Sequence, residues 1–222
     1  MKVIVLGASG MIGQGVLREC LADTSVESVL ALGRGGLRQV HQKLREVVQP
    51  DLMNLTPVEE ELSGYDACFF CLGVSAVGMS EEKYTTITYD LTIETAKVLA
   101  RLNPDMTFIY VSGRSTDSTE KGAQMWARVK GKTENALMRL PFKAVYLFRP
   151  GIVQPLDGIV SRTSVYRIAY VLLKPVMPLL ASRFPDQITS TRQIGIAMLE
   201  VARRGYSKHV LENKDINSIK AA

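Results

Sequence analysis

Apolar residues in this chain fall into short continuous runs that alternate with segments of helical period. Runs rich in β-branched and aromatic residues recur at 2–7, 26–33, 44–49, 65–73, 105–112 and 143–151. A strand that is apolar at nearly every position is buried on both faces, which is typical of a parallel sheet. Between and after these runs the spacing predicts helices over 11–23, 80–103, 119–140 and 190–205. The alternation predicts the α/β class, with a doubly wound parallel sheet.

The pattern loosens after Gly151. Residues 152–190 contain Pro155, Pro175, Pro178 and Pro185, and they predict loops around one helix over 164–181. A chain of 222 residues can bury one substantial core and is short for two. We therefore predict a single domain over 1–222, in which 152–190 forms most of a small C-terminal cap on the substrate side.

Composition narrows the classes of function. Net charge is +5, but the basic residues are scattered, so no nucleic-acid partner is expected. The longest apolar run is interrupted by Lys174 and Pro175, so membrane contact is not expected either. Three cysteines and an N-terminus that runs directly into an apolar strand predict a cytoplasmic location. With two histidines and no Cys/His cluster, no metal site is expected.

A glycine-rich loop follows the first predicted strand. Gly7, Gly10 and Gly13 lie between that strand and the first helix. Such glycines permit a tight turn and bring backbone N–H groups close to a pyrophosphate, while the helix N-terminus adds positive partial charge. At this position in an alternating α/β chain, the spacing predicts a dinucleotide-binding site.

The end of the second strand predicts which dinucleotide binds. NAD-selective sites place a carboxylate there to accept from the ribose 2′-hydroxyl, but this strand ends in glycine and is followed by Arg34. A guanidinium can bind two oxygens of a 2′-phosphate. We therefore predict NADP(H) rather than NAD(H), with Arg38 as a second contact. The alternative is that Arg34 is only a solvated loop residue.

Five motifs carry a family resemblance. They read GASGMIG at 7–13, CLG at 71–73, YVSGRS at 110–115, VKGKTE at 129–134 and RPG at 149–151. Together they resemble the short-chain dehydrogenase/reductase superfamily, over essentially the whole chain. The similarity is to its atypical NAD(P)-binding members, the epimerase/dehydratase-like proteins that include the Tat-interacting oxidoreductase-like family. The resemblance implies a Rossmann-type sheet and a nicotinamide dinucleotide.

Carried over position by position, the resemblance also implies site residues. Cofactor contacts would be made by Gly7, Ser9, Gly10, Met11, Ile12, Arg34, Asp51, Leu52, Cys71, Leu72, Gly73, Pro150, Gly151 and Ile152. Lys130 would bond the nicotinamide ribose hydroxyls, and Ser112 would sit near the nicotinamide. These last two are the catalytic positions that the resemblance assigns.

One position departs from the family pattern. In the family, the residue four before the lysine is a tyrosine that serves as general acid and base, whereas here it is Trp126. An indole N–H is only a donor and does not titrate usefully. Replacement hydroxyls are Tyr84, Tyr89, Ser112, Ser115 and Thr116. Trp126 itself is either a stacking wall for an aromatic group or a residue packed against the cap.

Two functions follow from this reading. The first is an NADP(H)-dependent oxidoreductase with an altered proton donor, acting on an unidentified carbonyl or alcohol. The second is a non-catalytic NADP(H)-binding redox sensor or scaffold. Epimerase-like chemistry on a nucleotide-linked substrate is a third reading, and Trp126 counts against it because that class also needs the tyrosine. The sequence does not identify the substrate, and it is compatible with either a monomer or a dimer.

Overall fold

A computed structural model describes residues 1–37, 39–159, 180, 183–184 and 186–221 of the chain. Within these residues, strands run in chain order as β1 (Lys2–Leu6), β2 (Ser28–Gly33), β3 (Leu44–Val48), β4 (Ala67–Phe70), β5 (Thr107–Val111), β6 (Ala144–Arg149), β7 (Ile152–Gln154), β8 (Ile188–Ser190) and β9 (Val210–Glu212). Seven of them form one sheet in the order β3-β2-β1-β4-β5-β6-β9, and β7 pairs with β8.

The topology of the main sheet places the ligand crevice. Every neighbouring pair of strands in it is parallel. The chain builds outward from β1 through β2 to β3, then returns to the other side of β1 with β4. In such sheets ligands bind beyond the carboxyl ends of the strands where the order reverses. The predicted class, a doubly wound parallel sheet of Rossmann type, is confirmed.

Helices connect the strands. They are α1 (Met11–Ala22), a 3₁₀ helix (Thr56–Leu62), α2 (Glu81–Thr85), a π-helical turn (Thr86–Asp90), α3 (Leu91–Leu102), α4 (Met125–Leu137), α5 (Thr191–Arg204) and α6 (Asn213–Ser218). The helix predicted over 80–103 is thus three helical pieces in succession. Ser80 caps the first of them, because its hydroxyl accepts from the backbone N–H of Lys83 at 3.3 Å.

Helix α4 begins later than the pattern over 119–140 predicts. The carboxylate of Asp117 accepts hydrogen bonds from the backbone N–H groups of Thr119, Lys121 and Gly122 at 3.0, 3.1 and 2.6 Å. These bonds fold the segment into a turn that a helix cannot contain, because one side chain there replaces the helical acceptors. The helix therefore starts at Met125.

Both faces of the sheet are buried, which explains the continuous apolar runs. Along β1, Val3 and Val5 belong to one core cluster, while Ile4 and Leu6 belong to the other. Helices α1 and α5 contribute to the first cluster, and α3 and α4 contribute to the second. Successive side chains of a strand point to opposite faces, so each strand must be apolar throughout.

Helices α1 and α5 lie in direct contact on the first face. A Cβ added to Gly15 would come within 2.6 Å of Cβ of Thr191, and one added to Gly195 would come within 2.7 Å of Cγ of Glu19. At Gly15 the Thr191 backbone lies too close for a methyl group, and at Gly195 a methyl group would clash with the Glu19 side chain. The first helix of the chain is thereby seated on the last long one.

The region after Gly151 contains structure that the sequence did not predict. Strands β7 and β8 pair in parallel, with Ile152 opposite Ile188. Strand β9 then adds the seventh strand to the main sheet, and α6 follows it. The helix predicted over 164–181 lies outside the described residues, apart from residue 180. The assignment of 1–222 to one domain, with a cap over 152–190, stays a prediction.

Candidate functional site

The glycine loop forms a turn that only glycine can make. Gly7 has φ +79°, in the left-handed region, and a Cβ there would lie 2.7 Å from backbone atoms of Cys71. A Cβ on Gly13 would lie 2.0 Å from the carbonyl oxygen of Gly7. The turn is closed by the N–H of Gly10, which donates to that same carbonyl at 2.8 Å. The loop therefore brings α1 close to the end of β1.

The N-terminus of α1 is open to an anion. Gly10 is its N-cap, no side chain caps it, and its first turn has no acidic residue. The first-turn N–H groups, including those of Met11 and Ile12, point out of the helix end without an intrahelical acceptor. A cavity of about 380 Å³ adjoins this loop. Among the residues that line it are Gly7, Ala8, Ser9, Arg34 and Leu72. This arrangement fits a pyrophosphate.

The outer end of this cavity holds one basic and one acidic residue. Arg34 is exposed, and among the residues described here its side chain has no ion pair or hydrogen bond. Glu46 of β3 lines the same cavity, and its Oε2 accepts from the N–H of Leu37 at 2.7 Å. Sequence reasoning missed Glu46, since only the strand register, which pairs it with Ala31, brings it there. Arg38 lies outside the described residues.

The residues predicted at the adenine do not line either large cavity. Asp51 is exposed, and its Oδ1 accepts from the N–H of Met53 at 2.9 Å. Leu52 is buried in the core, and its carbonyl accepts from Thr95 at 3.3 Å. Their contact with adenine stays a prediction that the geometry does not support. Cys71 and Gly73 lie on the segment that leaves β4, on either side of Leu72.

A larger cavity, of about 840 Å³, opens further along the carboxyl edge of the sheet. It brings together six of the predicted residues, namely Ser112, Trp126, Lys130, Pro150, Gly151 and Ile152. It also contains residues that the motifs did not assign to it, among them Val74, Val77, Arg114, Asp117 and Gln124. Most of these follow β4 or β5, and their position after a strand of the parallel sheet is the signal that could have found them.

Lys130 lies in the wall of the larger cavity, on α4. Its Nζ donates to the backbone carbonyl of Ser112, at the end of β5. Burial lowers the pKa of Lys130 to about 8, against the opposing effect of the Glu134 carboxylate. The ammonium is therefore largely charged at neutral pH and is fixed at the carboxyl end of β5.

The Ser112 hydroxyl is bound into a buried ion pair. It donates to Oε1 of Glu134 at 2.5 Å, and Glu134 is 1% exposed. Nε of Arg149 donates to the same oxygen at 3.0 Å, and Nη2 of Arg149 binds the other oxygen. Because its proton is held by this carboxylate, the Ser112 hydroxyl is a poor donor to a substrate. No motif in the sequence indicates this contact between α4 and the end of β5.

Trp126 forms part of the same wall. It is partly buried, and its Nε1 donates to the side-chain oxygen of Gln124 at 2.7 Å. It lies one helical turn before Lys130 on α4, as the spacing predicts. The indole N–H is thus already paired, and the ring supplies an apolar surface to the cavity.

Of the alternative hydroxyl residues, Ser115 and Tyr84 both line the larger cavity, and Ser115 is exposed. Tyr84 lines it from α2, directly before the π-helical turn, and is 1% exposed. Burial raises the pKa of Tyr84, so the phenol stays protonated at neutral pH. Tyr89 instead packs beneath Lys132, whose Nζ lies 4.4 Å from its ring centroid. The Thr116 hydroxyl donates to the carbonyl of Gly113 at 2.8 Å.

Other chemistries find less support in the part of the chain that the structure describes. No group of three or more His, Cys, Asp or Glu side chains there could hold a metal ion. Cys71 is a free thiol, and burial raises its pKa to about 12. No helix among the described residues has the length and apolar character needed to cross a bilayer.

Fold and site together define a dinucleotide-binding protein of Rossmann type. The sequence pattern of the NAD dependent epimerase/dehydratase family matches residues 3–125, more than half of the chain, and the chain belongs to that family. The resemblance that the motifs carry is confirmed.

Two relatives show how far the similarity extends. The rat protein HTATIP2 is 28% identical over 154 residues, which cover 68% of this chain and 62% of the rat protein. This chain therefore matches less than two thirds of that relative's length. The protein FMP52-1, mitochondrial, of the yeast Scheffersomyces stipitis is 24% identical over 177 residues, which cover 77% of each chain.

Solved structures show the same fold at low identity. The Bordetella bronchiseptica enzyme WbmF, in complex with NAD+, superposes with a TM-score of 0.68 at 13% identity, over 98% of this chain and 76% of WbmF. A short chain dehydrogenase family protein from Francisella tularensis superposes with a TM-score of 0.64 at 15% identity, over 92% of this chain and 91% of that protein. At this identity the likeness establishes the fold alone.

Proposed function

We propose that this protein is an NADP(H)-dependent oxidoreductase with an altered proton donor, acting on a carbonyl or alcohol. One observation carries the proposal. The open glycine loop at β1 and the Lys130 cavity at β5 lie along the same carboxyl edge of one sheet. That arrangement suits an extended dinucleotide whose reactive end reaches a substrate cavity.

The chain's own residues fit the cofactor. Gly7, Ser9 and the N-terminus of α1 would hold the pyrophosphate, since that helix start is uncapped and the glycine turn has no room for a side chain. Lys130 would bind the ribose hydroxyls, and residues 150–152 would border the nicotinamide end. A bound nicotinamide supplies or accepts a hydride. The remaining requirement is a proton at the substrate oxygen.

Tyr84 is the proton source that we propose. It lines the cavity with Lys130, and its raised pKa keeps the phenol in the donor form. Neither Trp126 nor Ser112 can take this role, because the first does not titrate and the second donates to Glu134. In the direction of reduction, the Tyr84 phenol would donate to the oxygen of the carbonyl as the hydride arrives at its carbon.

Preference for NADP(H) is also proposed, because the Arg34 guanidinium has no ion pair or hydrogen bond among the described residues. The carboxylate of Glu46 in the same cavity offers the opposite arrangement, in which it would accept from a ribose 2′-hydroxyl of NAD(H). Titration of NADPH and NADH against wild type, Arg34→Ala and Glu46→Gln separates the two. We expect Arg34→Ala to weaken NADPH binding about tenfold and to leave NADH unchanged. Selective weakening of NADH by Glu46→Gln would instead make NAD(H) the cofactor.

The activity is tested by following NADPH oxidation with a panel of aldehydes and ketones. We expect slow turnover that Lys130→Ala abolishes and that Trp126→Tyr increases, since this change restores a phenol one turn from Lys130. Tight NADPH binding without turnover in either wild type or Trp126→Tyr would favour the sensor or scaffold. That alternative has its own support, because Trp126 and the bound Ser112 hydroxyl leave both usual donors absent.

We also propose a cytoplasmic location, on the three free thiols that the chain carries. In cell fractionation we expect the protein in the cytoplasmic fraction. The FMP52 relatives in yeasts are named as mitochondrial, and enrichment with mitochondria would contradict this proposal. The chain is predicted to be a monomer or a dimer, and gel filtration would distinguish the two.

A further inference from the structure

The charges that line the larger cavity are unbalanced. Among the cavity residues that the structure describes, Arg114, Asp117 and Lys130 carry charge. Asp117 is committed to its own turn, where it accepts from the Thr119 hydroxyl at 2.6 Å and from three backbone N–H groups. Lys130 donates to the carbonyl of Ser112. The exposed side chain of Arg114 has neither an ion pair nor a hydrogen bond within the described residues, so the uncommitted charge is positive.

The backbone around Arg114 is fixed. Its N–H donates to the carbonyl of Pro150 at 2.9 Å, which ties the loop after β5 to the end of β6. It lies between Gly113, with φ +130°, and Ser115, with φ +68°. A non-glycine residue in the left-handed region costs free energy, and such strain persists only where surrounding contacts impose it. The loop thus presents the guanidinium from a defined position rather than from a mobile segment.

The rest of the cavity wall combines polar side chains, those of Ser75, Ser112, Ser115 and Gln124, with apolar ones. Val77 is 87% exposed and Ile152 is 52% exposed, although both are aliphatic, and the Trp126 ring faces the same space. Exposed aliphatic side chains that converge on one cavity favour contact with an apolar part of a ligand.

We propose that this cavity takes an apolar, preferably aromatic, carbonyl compound that carries a carboxylate. Arg114 binds the carboxylate, because a guanidinium fork matches its two oxygens. Trp126 packs against the apolar body, which gives the indole a role other than proton transfer. The carbonyl part of this inference rests on the proposed oxidoreductase function, whereas the carboxylate and the apolar body rest on the cavity alone.

Trp126 provides the experiment, because it is the one tryptophan in the chain and it lies in the cavity wall. Its fluorescence is titrated with phenylglyoxylate and with methyl phenylglyoxylate, which have the same body with and without the charge. We expect wild type to bind the acid about tenfold more tightly than the ester. We expect Arg114→Gln to remove that preference and to leave the affinity for the ester unchanged.

Two further variants keep the result interpretable. Arg139→Gln removes the same charge from an exposed residue just beyond α4 that lines neither cavity, and it should preserve the preference. Arg114→Lys should recover part of it. Equal binding of acid and ester by wild type, or equal weakening of both by Arg114→Gln, would overturn the proposal.

NADPH oxidation with the same two probes separates this inference from the proposed function. Arg114-dependent binding of the acid without turnover of any carbonyl would keep the carboxylate site and reject the oxidoreductase. Turnover of uncharged carbonyls, with no preference for the acid in binding or rate, would keep the oxidoreductase and reject the carboxylate site.

Discussion

Two regions along the carboxyl edge of the sheet differ in whether backbone or side chains form the site. At β1 and α1 the site consists of backbone. A Cβ added at Gly7 or Gly13 would lie less than 3 Å from neighbouring backbone atoms, so no side chain fits there. At β5 and α4 the site consists of side chains, where Trp126 lies one helical turn before Lys130 and the Ser112 hydroxyl donates to Glu134. A site made of backbone depends on steric fit, while a site made of side chains can change its chemistry within an unchanged fold.

The largest effect is expected in the backbone half. Gly13→Ala would place a Cβ 2.0 Å from the Gly7 carbonyl. We expect the free energies of unfolding and of NADPH binding to weaken by about 3 kcal/mol or more in total. Gly64→Ala is the control, because Gly64 has φ +83° with open space around it and should lose only about 1 kcal/mol of stability. Thermal unfolding and NADPH titration measure both, and wild-type binding by Gly13→Ala would contradict the comparison.

The next effect tests whether the Ser112–Glu134 contact is structural. Glu134→Ala leaves the partly buried guanidinium of Arg149 with Glu212 as its remaining carboxylate partner, so we expect about 3 kcal/mol less stability in urea unfolding. Glu94→Ala, which removes the exposed pair with Lys97, should change stability by about 0.5 kcal/mol or less. Loss of turnover by Ser112→Ala at unchanged stability would instead return Ser112 to the chemistry.

A third prediction concerns the proton donor. Tyr84→Phe should lower turnover by about 10²-fold without changing NADPH affinity, because it removes the hydroxyl of a residue that lines the cavity and keeps the ring. Tyr89→Phe is matched to it, since Tyr89 packs beneath Lys132 and lies in neither large cavity. Single-turnover rates and NADPH titration are the measurements. Similar losses in both variants would remove Tyr84 from the proposed mechanism.

The smallest effect is a pH dependence. Burial holds the pKa of Lys130 near 8 in the folded chain, below the value of about 10.4 for an unperturbed lysine. Between these values the unfolded chain binds more protons, so this group favours the folded state increasingly as pH rises. Over the same range the ammonium is lost, and NADPH affinity should fall a few-fold between about pH 7 and pH 9. Lys130→Met should bind NADPH weakly at every pH, and a flat profile in wild type would contradict the assignment.

The sequence was most informative where one force acts alone. The six long strands were predicted because burial on both faces requires apolar residues throughout, and the glycine turn because only glycine fits it. Strands β7, β8 and β9 are three residues long, too short to show a period. Glu46 and Arg114 were not predicted as site residues, because only the arrangement of the strands brings each of them to its cavity. The commitment of Ser112 to Glu134 depends on a contact between α4 and β5, which spacing within either element cannot reveal.

The packing of α1 against α5 has a consequence for folding during synthesis. Gly15 and Gly195 interlock two helices that are separated by most of the chain, and α1 is the helix whose N-terminus faces the phosphate loop. During synthesis α1 emerges first and must wait for α5 before its outer face is covered. Contacts of such long sequence separation form late and slowly. We therefore expect dinucleotide binding to become possible only after α5 has been synthesised.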